Sequence, residues 1–123
     1  MTYESQLLQK QSREKTGLKS IEWAAGLFEG EGCISYREDQ NRYCLCIAMC
    51  DGDVMHDWAK AVQYGNVTGP NKNGDNPKWK PRYQWYTSKK TEVIRILKEL
   101  LPNLGLRRTE KAIEALKFYE AIN

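Results

Sequence analysis

Nothing in this chain approaches the ~20 consecutive apolar residues that a bilayer-spanning helix requires, and no signal-peptide pattern opens it. A soluble, intracellular protein is expected, in cytoplasm or organelle matrix. Histidine is almost absent: His56 stands alone and reads as a solvated helix residue. The four cysteines, Cys33, Cys44, Cys46 and Cys50, form with it the pattern Cys-x-Cys-x3-Cys-x5-His, which matches no familiar zinc spacing. They read as reduced thiols acting as small hydrophobes. A zinc-binding structural protein is the competing reading of these thiols, and stoichiometric zinc in purified material would reveal it. No internal repeat is present. A strong charge excess is also missing: the formal net charge is +3, which permits nucleic-acid binding without demanding it.

Four tryptophans and seven tyrosines in 123 residues indicate an ordered globular protein. The length suits one domain with a real core and is too short for two. Residues 1–19 read as a polar N-terminal arm, with Lys10, Arg13, Lys15 and Lys19 among Gln, Ser and Glu. Leu7 and Leu8 are its only anchors, and a solvated extension is expected. A single domain is expected over residues 20–123.

The stretch 23–35, Trp-Ala-Ala-Gly-Leu-Phe-Glu-Gly-Glu-Gly-Cys-Ile-Ser, begins as a small-residue helix and ends as a strand. Ser20 can cap it by accepting from a free amide of the first turn. Gly26 and Gly30 stand four apart on one helix face and remove side-chain bulk there, so another backbone can approach. Gly32 is expected to supply the positive φ that ends the helix. Glu31 then sits at the negative end of the helix dipole, a placement that costs about 0.3–1 kcal/mol. A divalent cation is the natural compensation.

Further along, residues 33–39 and 42–50 read as a hairpin around Asp39-Gln40-Asn41. Ile34, Tyr36, Tyr43, Leu45, Ile47 and Met49 alternate toward a core. Ser35, Arg37, Asp39, Cys44, Cys46, Ala48 and Cys50 point the other way. Asp51 caps a helix with Val54, Met55, Trp58, Ala61 and Val62 on its apolar stripe, and Gly65 stops it. A short strand over 66–69, a Gly/Asn/Lys loop over 70–77 and a long strand over 79–87 follow, with Pro81 marking an edge or kink. In that strand Tyr83, Trp85 and Thr87 share one face, and Lys80, Arg82, Gln84 and Tyr86 the other. A helix over 89–101 is expected to bury Val93, Ile94, Leu97, Leu100 and Leu101. The last helix carries Ala112, Ile113, Leu116 and Tyr119. The order is that of an α+β fold.

Ala24-Ala25-Gly26-Leu27-Phe28-Glu29-Gly30-Glu31-Gly32 resembles the signature of the LAGLIDADG homing endonucleases. It departs from that name at Ala24, Phe28 and Gly30, and carries Glu at both acidic positions. Met49-Cys50-Asp51-Gly52-Asp53-Val54, Gln84-Trp85-Tyr86-Thr87-Ser88 and residues 100–108 are similar to further segments of the family. The resemblance implies an αββαββα core with a four-stranded antiparallel saddle sheet over the DNA major groove. It puts Ser35, Arg37, Thr68, Lys72, Lys80, Arg82, Gln84 and Tyr86 on the DNA side, together with Cys44 and Cys46. One motif implies a homodimer with Ala25, Gly26, Glu29 and Gly30 at the interface, and a near-palindromic site. No membrane and no small-molecule substrate are implied as partners.

The implied activity is site-specific hydrolysis of double-stranded DNA by an intron- or intein-associated nuclease. Glu31 and the main-chain carbonyl of Gly30 would hold Mg²⁺, or Mn²⁺ or another divalent cation. Arg107 stands where relatives often carry Lys, and a guanidinium there would act electrostatically. An ordinary surface arginine at a helix start is the equal alternative. Glu29 would orient the helix end, and Met49 stands where many relatives carry a polar residue. The competing function is a DNA- or RNA-binding protein on the same scaffold without cleavage, an intron maturase or regulator.

Overall fold

The computed structural model describes residues 2–6, 18–72, 74–76 and 78–122. In the arm, residues 3–6 form one helical turn, with Thr2 Oγ1 accepting from the amide of Ser5 at 3.1 Å. Leu7, Leu8, Lys10, Arg13 and Lys15 lie outside the described residues.

Ser20 starts the first long helix as its composition demands: its hydroxyl accepts from the Trp23 amide at 3.1 Å. This helix, α1 (Ile21–Glu31), runs directly into β1 (Gly32–Arg37). After it come β2 (Arg42–Met49), α2 (Gly52–Val62), β3 (Asn66–Asn71), β4 (Arg82–Thr87) and α3 (Lys90–Leu100). A 3-10 turn (Leu101–Asn103) then leads to α4 (Leu106–Ala121). The strands make one antiparallel sheet in the order β1-β2-β4-β3. The αββαββα order is the one expected. Among the described residues, no helix is long and apolar enough to cross a membrane.

One face of the sheet is covered by α1, α2 and α3, with α4 packed on α3. The period of two in β2 sends Tyr43, Leu45 and Ile47 into this layer. Helix α2 adds Met55, Trp58 and Val62, and β4 adds Trp85. Asp51 Oδ1 caps α2 by accepting from the Val54 amide at 3.1 Å. At the start of β2, before its ladder with β4 begins, the Tyr43 amide turns to the helical layer. It donates to the Tyr119 hydroxyl of α4 at 2.9 Å. A second tie closes the α2–β3 corner, where Glu92 Oε1 accepts from the Gly65 amide at 2.9 Å and from Thr87 Oγ1 at 3.0 Å.

Several expectations are corrected. Gly32 is extended (φ −79°, ψ 161°), because the chain enters β1 without a turn. Its lack of a side chain serves packing, since a Cβ there would overlap the Phe28 ring. The last strand begins at Arg82, not Trp79: Pro81 has no amide to give a ladder, and the Trp79 amide donates to Asn76 O in a turn at 3.1 Å. The strand over 66–69 extends to Asn71. In α3 the fully buried stripe is Val93, Ile96, Leu97 and Leu100, with Ile94 and Leu101 only half-buried. In α4 it is Ala112, Ala115 and Tyr119, leaving Ile113 exposed. Cys44, on the outward face, is nevertheless buried. Tyr36 is exposed, its ring resting on those of Tyr43 and Phe118 at 5.3 and 5.4 Å.

Tyr119→Phe keeps the ring packing and leaves the buried Tyr43 amide without an acceptor. A loss of about 1–3 kcal/mol is expected. Urea denaturation of the variant against the parent checks it, and an unchanged midpoint would deny the role of this bond.

Candidate functional site

The two acidic residues of the motif have different fates. Glu29 is half-buried, and its Oε1 accepts from the Gly105 amide at 2.6 Å. Gly105 is the N-cap of α4, so the carboxylate occupies the positive end of that helix dipole. A Cβ on Gly105 would come within 3.1 Å of Glu29 Oε1, so the glycine admits the carboxylate. Glu31 is exposed at the last position of α1. Among the described residues its carboxylate has neither a hydrogen bond nor an ion pair.

Arg107 is exposed in the first turn of α4. The cleft beside it, about 390 Å³, is lined by Glu29, Arg107, Arg108 and Lys111. Glu31 is not among these lining residues, so the fold groups Arg107 with the first acid of the motif. Arg108 is held over the Phe28 ring at 5.8 Å. Arg108 and Lys111 were not singled out in the sequence. The sequence signal was Lys111, which stands i+4 from Arg107 and i+3 from Arg108 along α4.

On the adjoining face of α1, Gly26 and Gly30 are exposed, and an added Cβ at either would meet nothing within 4 Å. Ala25, expected beside them at an interface, is instead fully buried in the core of its own chain. Glu29 is engaged by Gly105. The bare stripe of α1 is therefore Gly26 and Gly30.

The uncovered sheet face brings together most of the residues read as DNA-facing. Register sets Ser35 opposite Cys44, Cys33 opposite Cys46, and Cys46 opposite Tyr86. In the same way Ala48 faces Gln84, and Gln84 faces Thr68. Arg37, Thr68, Arg82 and Tyr86 are exposed, and Ser35 and Gln84 half-buried. Lys72 and Lys80 are exposed but outside the strands. Lys72 pairs with Asp75 at 3.7 Å, and Lys80 lines a cleft of about 460 Å³ with Cys50, Asp51, Gly52, Asp53 and Tyr83.

One further basic residue joins this face. Arg42 lies directly opposite Arg37, a like-charge pair that costs stability. Among the described residues neither forms an ion pair. Arg42 Nε donates to Gln40 Oε1 at 2.8 Å. Both arginines line a cleft of about 250 Å³ with Gln40, Cys44, Tyr86 and Ser88. The sequence signal for Arg42 was its mirror position to Arg37 across the hairpin. Burial pushes the Cys44 thiol above its ordinary pKa, against the opposing pull of Arg37. Burial, and then the neighbouring Cys33 and Cys44, push Cys46 up to about 11.

Glu29→Ala should release the N-terminus of α4 and cost about 1.5–3 kcal/mol, the range for a hydrogen bond to a charged group. Glu29→Gln keeps an acceptor oxygen and should recover part of that. Thermal unfolding of both variants measures the difference, and equal stabilities would exclude the latch.

No protein-family model matches the chain. No curated protein matches it either. Solved structures do. The homing endonuclease I-CvuI, in complex with its target in the presence of Ca, is 25% identical, with a TM-score of 0.61 over 79% of this chain and 63% of that one. A second I-CvuI complex, with the I-CreI target in the presence of Mg and its DNA not cleaved, gives the same values. The homing endonuclease I-TnaI shares the fold at 20% identity and a TM-score of 0.54, over 81% of this chain and 69% of that one. The chain thus spans somewhat less than two thirds of the I-CvuI length. Motif and four-stranded antiparallel fold together make this chain a structural relative of the LAGLIDADG homing endonucleases.

Proposed function

We propose that the chain is a site-specific endonuclease for double-stranded DNA, acting with a divalent cation as a homodimer on a near-palindromic site. The contrast between the two motif carboxylates carries the reading. Glu29 is spent on the fold, while Glu31 stands exposed at the negative end of α1 with no partner among the described residues. Nothing among the described residues offsets that placement, and a cation would. The I-CvuI complexes with target DNA support the DNA partner.

The donors suit the ion. Glu31 and the Gly30 carbonyl are hard oxygen ligands, and Mg²⁺ binds through one or two carboxylates plus substrate phosphates. The described residues hold no group of three acidic, cysteine or histidine side chains fit for a metal, and this mode needs none. When bound, the ion would supply Lewis acidity for the phosphodiester and its attacking water. Arg107 would stabilise charge developing on the phosphate, since a guanidinium cannot accept the water's proton. The uncovered sheet face would lie in the major groove, where Arg82 suits guanine and Gln84 adenine.

The dimer follows from the glycines. Each Gly inside a helix costs about 0.5–1 kcal/mol relative to Ala. Among the described residues no contact offsets it at Gly26 or Gly30, where an added Cβ meets nothing within 4 Å. The close approach of a second α1 does. A two-fold axis there would bring two copies of Glu31 to one DNA site.

Cleavage-site selection with purified protein and Mg²⁺ tests the reading. Glu31→Gln should abolish cutting at every Mg²⁺ concentration while DNA affinity without metal holds or improves. Near-parental cutting by this variant would sink the catalytic assignment, and binding without cutting by the parent would favour a non-cleaving protein. Gly26→Leu should leave the chain folded, because its side chain meets nothing inside, and should yield monomer or aggregate. Light scattering that finds the parent monomeric at micromolar concentration would overturn the dimer.

A further inference from the structure

Three of the four cysteines lie together on the uncovered sheet face, and their register sorts them. Cys33 of β1 and Cys46 of β2 are directly opposite. Directly opposite residues of an antiparallel pair have Cα atoms about 4.5 or 5.5 Å apart, and both spacings fall inside the roughly 4.4–6.8 Å range of disulfides. Cys44 is opposite Ser35 and therefore diagonal to Cys33. Diagonal neighbours stand about 7–8 Å apart, beyond the roughly 7 Å limit for bridging. Cys44 and Cys46, two apart on one extended strand, are separated by about 6.6 Å, at the outer edge of the range. Cys50 is set apart, its thiol directed at Lys80 O at 3.9 Å. Cys33 is exposed and Cys46 is half-buried.

We infer that Cys33 and Cys46 form a reversible dithiol–disulfide site whose closed form weakens DNA binding by this face. The coupling rests on the proposed function; the chemistry of the pair does not. With glutathione disulfide as oxidant, the Cys33 thiolate attacks one of its sulfurs, forming a mixed disulfide and expelling one glutathione thiolate. The Cys46 thiol, giving up its proton to the first expelled glutathione thiolate, then attacks the Cys33 sulfur, breaking the mixed disulfide and expelling the second glutathione. Two electrons pass from the cysteine pair to glutathione disulfide, and the two thiol protons end on the two glutathiones. The order of attack follows from access. Cys33 meets solvent, whereas Cys46 is held protonated by burial and by its neighbouring thiols.

The disulfide would pin β1 to β2 beside Tyr86, which faces Cys46 from β4. Bridging two opposite side chains fixes the local twist of the strand pair, and that twist carries Ser35, Arg37 and Arg42. Linkage makes the effect reciprocal: if closure weakens DNA binding, bound DNA disfavours closure by the same factor.

The full-length protein is equilibrated in glutathione buffers of increasing oxidation, quenched by alkylation and mapped by mass spectrometry. A single intramolecular Cys33–Cys46 disulfide is expected, lost in Cys33→Ser and in Cys46→Ser and retained in Cys44→Ser. A bridge that uses Cys44 or Cys50, or only intermolecular bridges, would overturn the site, whatever the protein binds. Duplex DNA affinity is then measured for both forms, with loss of about fivefold or more expected on oxidation and recovery on reduction. Equal affinities would overturn the coupling. If neither form bound any duplex, the proposed function would fall while the mapped disulfide stood.

Discussion

The Trp58 indole joins the helical layer to the sheet, between a ring of α1 and a ring of β4. Phe28 of α1 stacks on it at 5.7 Å, and Trp85 of β4 meets it edge-on at 5.1 Å. All three rings are fully buried. Such pairs contribute about 0.5–1.5 kcal/mol beyond the area they bury. Phe28 precedes Glu29, and Trp85 lies between Gln84 and Tyr86, so the rings inside fix the residues outside. The arrangement has a cost. Among the described residues Trp58 Nε1 is buried without an acceptor, whereas Trp85 Nε1 donates to Tyr64 O at 2.8 Å.

From that anchor the end of α1 can be understood. Residues two apart on a helix point about 200° from each other, so Glu29 and Glu31 cannot serve one partner. Once Phe28 is seated in the core, Glu29 turns toward α4 and meets the Gly105 amide. Glu31 is left on the opposite side, at the helix end, where β1 begins at once. Gly32 permits this immediate change of direction beneath the Phe28 ring, with no left-handed residue involved.

Elements whose pattern is set locally were legible in the sequence. The Ser20 and Asp51 caps, the alternation of β2 and the order of helices and strands all depend on near neighbours. What depended on distant partners was not. Along α3, stripes through Ile94 and through Ile96 satisfy the helical period about equally, and the neighbours that pack on the helix choose Ile96. Ile113 loses its place to Ala115 because α4 lies close against α3, where a small residue fits. The long strand starts late, at Arg82, because Pro81 and the Asn76 turn outweighed an aromatic, β-prone sequence. Cys44 alternates outward correctly, yet it is buried by the side chains that line its cleft. Of the candidate site, the carboxylates were legible, but the Gly105 amide that separates their roles lies 76 residues from Glu29 and leaves no trace in local pattern.

Four features of the chain break local rules without compensation among the described residues. Gly26 and Gly30 interrupt a helix where alanine would fit. Glu31 sits at the wrong end of a dipole. Arg37 faces Arg42 across a strand pair. All lie on the outside, whereas among the described residues the one buried side-chain nitrogen or oxygen left without a partner is the Trp58 indole nitrogen. Sequences that fold well agree with themselves at each level, and local conflicts gather where function requires them. The four conflicts are moreover of kinds that different partners resolve: a second backbone for the glycines, a cation for the carboxylate, an anion for the arginine pair. A helix of another copy, a divalent metal and a nucleic-acid backbone are one consistent set of such partners. Resolving any single conflict within the chain, by Gly→Ala or by a carboxylate beside Arg42, would stabilise the monomer and remove one element of that set.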